Sequence, residues 1–149
     1  MISRILVLAV VAAGPLLSPA ASAQSLQGKF RGTYVCEKLP TTRDILRAPL
    51  DLAIDGGGVV FARPLFNLDG SRVVGSELGR GTIEDSGRLH LTSEWSFLGN
   101  TANGDYSGSL TKTGGTMTGK QTWTGPGGAT PVVRTCTVAL VSAATQQQR

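Results

Sequence analysis

The chain has 149 residues, with 14 Lys and Arg against 10 Asp and Glu, a net charge of +4. This excess is small and scattered, with no basic or acidic run, and it argues against nucleic acid or an anionic membrane as a partner. The length supports one domain with a single core.

Residues 1–23 read as a secretory signal peptide. Arg4 supplies the positive start, residues 5–13 form a short apolar stretch, and Gly14 and Pro15 break any helix. Ala21-Ser22-Ala23 is a cleavage pattern that would leave a mature chain of residues 24–149. The apolar stretch is well short of the roughly 20 residues that a membrane-spanning helix needs, so no span is expected after cleavage. The expected product is an exported protein, periplasmic or secreted.

Residues 30–37 alternate, with Phe30, Gly32, Tyr34 and Cys36 on one face and Arg31, Thr33 and Val35 on the other, as a half-buried strand does. Residues 39–49 read as a polar connection, with a helical turn around 44–47. Leu50, Leu52 and Ile54 then alternate with Asp51, Ala53 and Asp55. Gly56-Gly57-Gly58 signals a hairpin into a return strand, 59–63, which Pro64 is expected to end.

Residues 64–71 read as a loop, 72–75 as either strand or loop, and 77–84 as a glycine-containing strand. Residues 88–97 are the clearest strand, with Leu89, Leu91, Ser93 and Trp95 opposite Arg88, His90, Thr92 and Glu94. A polar loop is expected over 99–104. A hairpin, 105–112 and 116–124, turns at Gly114-Gly115. A loop over 125–131, a last strand over 132–141 and a frayed tail over 145–149 complete the chain.

Eight consecutive short strands without a long helix predict an all-β domain. Cys36 lies on the first strand and Cys136 on the last, and these are the only cysteines. In an oxidising compartment they most simply form one disulfide, which places the first and last strands side by side or face to face. The expected fold is therefore an eight-stranded antiparallel up-and-down barrel stapled at its seam, with a bridged sandwich as the alternative. A free catalytic thiol would need a base, and His90 is the only histidine.

Motifs for catalysis are absent: there is no G-x-S-x-G elbow, no phosphate-binding glycine loop and no H-E-x-x-H pair. No cofactor or metal is implied. Asp51, Asp55, Glu77 and Asp85 fall on faces assigned to solvent, while Glu94 and Asp105 are placed near strand ends where they would line a mouth. The chain is expected to be non-enzymatic.

The inward set holds Phe30, Leu52, Ile54, Phe61, Leu91, Leu110 and Met117, with Gly32, Gly108 and Gly119 among them. Tyr34, Ser93, Trp95, Tyr106, Gln121 and Trp123 fall on the same faces. They suggest a pocket for a small apolar or aromatic ligand, since an eight-stranded barrel is either filled or just wide enough for one. The alternative is a periplasmic inhibitor or envelope-associated domain that meets a protein partner through loops 39–49, 64–71 or 125–131. The outward threonines, such as Thr116, Thr118, Thr122 and Thr124, suit a solvated strand face.

Tyr34-Val35-Cys36, so soon after the leader, resembles the opening of small periplasmic lysozyme-inhibitor barrels. The likeness covers those few residues, and the serine- and glycine-rich inhibitory loop followed by a tyrosine is not found here. The barrel plan is similar to lipocalin- and avidin-type binders as architecture, which does not transfer function. No family is assigned.

Overall fold

The computed structural model describes residues 26–39, 45–66, 71–97 and 99–146. Residues 1–25, which include the expected leader 1–23, and residues 40–44, 67–70, 98 and 147–149 lie outside them.

Among the described residues the strands are β1 (Gly28–Cys36), β2 (Leu46–Asp55), β3 (Gly58–Phe66), β4 (Val73–Ile83), β5 (Arg88–Phe97), β6 (Asn100–Leu110), β7 (Gly114–Thr124) and β8 (Val132–Ser142). Each pairs antiparallel with the next, and β1 pairs with β8, so the sheet closes into an up-and-down barrel. Closure leaves no unpaired edge, which is how a small all-β chain satisfies its backbone without a second layer. A short helix, α1 (Ala143–Gln146), follows β8.

The hairpin between β2 and β3 shows how local sequence sets register. Asp55 pairs with Gly58 across a two-residue turn in which Gly56 and Gly57 have φ of 56° and 81°. Both central residues need positive φ in the turn type whose twist matches the strands, and glycine meets that need without strain.

The seam runs from Phe30 opposite Ser142 to Cys36 opposite Cys136. The two cysteines are bonded, with Cα atoms 4.0 Å apart and both side chains wholly buried. A structural disulfide of this kind points to an oxidising compartment outside the cytosol.

Three segments differ from expectation. Pro64 does not end its strand, because β3 continues to Phe66 with Pro64 opposite Ser76. The β2–β3 ladder stops at Asp51 opposite Ala62, so at Pro64 the strand has lost one neighbour and a missing N–H costs little. Residues 100–104, expected in a loop, belong to β6, where they pair with β5 and β7 on both sides. The turn expected around 44–47 falls partly outside the described residues, and Leu46 and Arg47 already lie in β2. The undecided stretch 72–75 joins β4 from Val73 onward.

Alternate hairpins of an up-and-down barrel turn at opposite ends, and the two ends are unlike. Short turns at 56–57, 84–87 and 111–113 close one end. At the other end lie the strand ends Cys36, Leu46, Phe66, Val73, Phe97, Asn100, Thr124 and Val132, to which all three segments proposed for partner contact attach. The core cluster includes Phe30, Leu52, Ile54, Val59, Leu89, Leu91, Met117 and Leu140, all buried. Each such side chain, fully buried, contributes roughly 1.5–3 kcal/mol, and this packing is what holds the short-turn end shut.

Candidate functional site

The loop-side half of the interior is polar. Arg63, Glu77, Ser93, Gln121 and Arg134 all face inward and are buried, with Glu77 and Gln121 at 0% exposure. Glu77 and Arg63 are directly opposite across β3 and β4. The Glu77 carboxylate accepts from Arg63 Nε at 2.8 Å and Arg63 Nη2 at 2.6 Å, and from Ser93 Oγ at 2.5 Å. Tyr106 OH and Gln121 Nε2 add longer contacts of 3.3 and 3.4 Å. A buried carboxylate surrounded this way is compensated by both opposite charge and hydrogen bonds, the condition under which an interior ion is tolerated.

Glu77 corrects the assignment of this residue to the solvent face. In β4 the usual alternation is inverted: Glu77 points in and Leu78 points out, 55% exposed. Its partner Arg63 and the nearby Arg134 were absent from the expected site altogether. A signal for both was present, since Arg63 shares parity with Val59, Phe61 and Leu65, and Arg134 with Cys136, Val138 and Leu140. A single charged residue amid an apolar face is easily passed over as noise.

The six proposed site residues do come together here, in two groups. Tyr34, Tyr106, Ser93 and Gln121 are wholly or nearly wholly buried and engaged with one another and with Glu77. The Tyr34 and Tyr106 hydroxyls are 2.7 Å apart, Tyr34 OH also lies 3.1 Å from Cys136 Sγ, and Arg63 stacks over the Tyr34 ring at 4.6 Å. Tyr106 packs edge-on against Phe61 and fits only because Gly104 and Gly119 beside it lack side chains; a Cβ at either would collide with its ring. These four residues form the wall of a filled interior.

Trp95 and Trp123 make the second group. Both are half-buried, and both sit opposite Ala102, on β5 and β7 respectively. Over that small side chain their rings meet edge-to-face, with centroids 4.4 Å apart. Trp123 Nε1 donates to Gln121 Oε1 at 2.8 Å, whereas the buried Trp95 Nε1 has no hydrogen-bond partner. A depression of about 380 Å³ lies on the outer face of the sheet behind Trp95 and Ala102, lined by the outward-facing Glu94, Thr101, Asn103 and Thr122.

The remaining expected candidates stand outside the barrel. Asp51 and Asp55 are exposed on β2, and Asp51 meets Arg31 at 3.1 Å in water. Asp105 and Glu94 line no mouth: both lie on the outer face, and Asp105 sits mid-strand, 2.8 Å from the exposed His90 Nε2.

Burial raises both phenols. Tyr34 is pushed up to about 12 from its ordinary 10.0, first by loss of water and then by the Glu77 charge, with Arg63 opposing. Tyr106 is raised further, by burial first and by Tyr34 second. The folded state therefore holds these protons more tightly than the unfolded chain does. The stability they contribute is complete below about pH 10; for Tyr34 it is lost as pH climbs from 10 through 12, and for Tyr106 the loss continues to higher pH. For Tyr34 alone the loss is about 3 kcal/mol at the upper end. The chain has only two tyrosines, so the measurement is unambiguous. In an alkaline spectrophotometric titration the tyrosinate band should stay absent past pH 10 and then rise together with loss of the fold. Reversible ionisation near pH 10 with the barrel intact would show that the phenols are open to water.

No protein-family model, no curated protein and no solved structure matches the chain. Its class is defined by fold and site alone: a disulfide-closed, eight-stranded up-and-down β-barrel with an ionic network inside one end.

Proposed function

We propose that this chain is an exported, non-enzymatic binding module that holds a small aromatic or apolar molecule at the loop end of the barrel, against Trp95 and Trp123. The observation that carries this reading is the half-buried tryptophan pair at the loop end, packed edge-to-face over Ala102 with the Trp95 indole N–H without a partner among the described residues. The rest of the interior is a poor alternative: its apolar half is packed, and the polar groups around Glu77 are hydrogen-bonded to one another. Glu77, the carboxylate in the described interior, is engaged by several donors and shut away from water, which supports a structural role over acid–base chemistry. The leader-like segment and the disulfide support export.

A second reading has its own support. Ile45, Phe66, Val73 and Val133 are exposed apolar residues at the loop end, where the long connections attach, and they would suit a protein partner in the envelope.

The two tryptophans are the only ones in the chain, so intrinsic fluorescence reports directly on the proposed site. Titration with naphthyl probes should change that emission saturably. Trp95→Ala should weaken binding about tenfold or more, as truncation of an aromatic anchor does. Unchanged affinity in Trp95→Ala and Trp123→Ala proteins that remain folded would reject the small-ligand reading and favour the apolar rim.

A further inference from the structure

Hydrogen-bond donors outnumber acceptors around the tryptophan pair. Gln121 Oε1 receives Trp123 Nε1 at 2.8 Å, Arg134 Nε at 2.8 Å and also Arg134 Nη2. Three N–H groups thus converge on one neutral amide oxygen, which offers two lone pairs. The orientation of that amide is set by its other end, because Gln121 Nε2 faces the Glu77 carboxylate. Trp95 Nε1 is a further buried donor with no acceptor. The charges are unequal as well. Arg63 and Arg134 bring two guanidinium groups into the described interior, and Glu77 brings one carboxylate, which Arg63 already takes in a two-nitrogen pairing. Among the described residues Arg134 has an amide oxygen for its guanidinium and the Trp123 ring, 5.7 Å away.

A buried guanidinium facing only a shared neutral oxygen is incompletely compensated, and a planar carboxylate is the group whose geometry and charge suit it best. We infer that the ligand of this barrel is a small aromatic carboxylate, its ring against Trp95 and Trp123 and its carboxylate on Arg134 and the Trp95 indole N–H. The inference rests on the binding reading above and adds the chemical class of ligand to it. Burial first, and then the neighbouring Arg63 charge, push the pKa of Arg134 down against the opposing pull of Tyr34, and a bound anion would counter that pressure. The exposed Glu94 stands on the outer side of β5, in water, and does not compete for Arg134.

The test compares 2-naphthoate with the neutral 2-naphthylmethanol by calorimetry and tryptophan fluorescence on the oxidised protein. Naphthoate should bind about tenfold or more tightly, the effect of a charge-assisted hydrogen bond, and Arg134→Met should abolish the difference between the two probes. Equal affinities of the two probes in the wild-type protein would overturn the carboxylate inference and leave the aromatic-binding reading standing. Binding of neither probe would overturn both. A preference for naphthoate that survives in a folded Arg134→Met protein would also overturn the assignment, since the anion would then be held elsewhere.

Discussion

Replacing Glu77 with glutamine should lower the unfolding free energy by about 3–5 kcal/mol, measured as a shift in the urea midpoint without change of slope. The substitution preserves shape and removes one negative charge from a site with no exposure. Arg63, 2% exposed in its side chain, would then be a buried cation without its counter-ion, and Ser93 and Tyr106 would lose their charged acceptor. The large effect comes from the partner left behind rather than from the worth of the pair itself. Replacing both members with apolar groups, Arg63→Met with Glu77→Leu, should recover most of the loss for that reason. A domain of ordinary stability has only about 5–15 kcal/mol to lose, so the single variant should be visibly fragile at physiological temperature. A loss below about 1 kcal/mol for Glu77→Gln would mean that water reaches the pair and that the network is not sealed.

Breaking the disulfide is the second large perturbation, and its expected cost is about 2–5 kcal/mol. Cys36 and Cys136 are 100 residues apart in sequence, so the bond constrains almost the whole unfolded barrel. The chain-entropy account gives about 4.7 kcal/mol for a loop of that length, as an idealised value. The native seam has its own support, because β1 and β8 are in register from Phe30 to Cys36. Cys36→Ser should therefore keep the β-sheet circular dichroism of the parent and unfold at a lower urea concentration. Since both sulfurs are wholly buried, thiol reagents should find nothing in the oxidised native protein, and reductant should act on it only slowly. An equal urea midpoint for parent and variant would show that the bond adds nothing beyond the ladder.

The network also bears on specificity of fold. A strand slipped by one residue exchanges its two faces. In β4 such a slip would turn Glu77 out and Leu78 in, but it would also turn Arg80 in and carry Gly79 away from Phe61. Arg63 opposes it too, since it already faces inward from β3 and would be left buried without Glu77. The ion pair thus adds to the packing of Phe61 against Gly79 in holding this register.

Several features were legible in the chain before any fold was known. Alternation over 30–37, 50–55 and 88–97 marked strands whose apolar side is the core. Glycine pairs and short polar groups placed the hairpins, and one cysteine on each terminal strand implied that β1 and β8 meet. These are local properties, period-two burial and turn chemistry, together with one covalent constraint. They need no knowledge of distant neighbours.

The site depended on neighbours. Nothing in the residues around Glu77 reveals that Arg63, 14 positions earlier, stands opposite it, or that Ser93, Tyr106 and Gln121 close around it from three more strands. A lone inward carboxylate looks prohibitive in sequence, because desolvation is local while its compensation comes from across the barrel. The same holds for residues 100–104, too polar and small to read as a strand, which pairing on both sides makes one. Short-range sequence determined the strands, their turns and the stapled seam. Only closure of the barrel decided which charges could be buried, because only closure brings their partners within hydrogen-bonding distance.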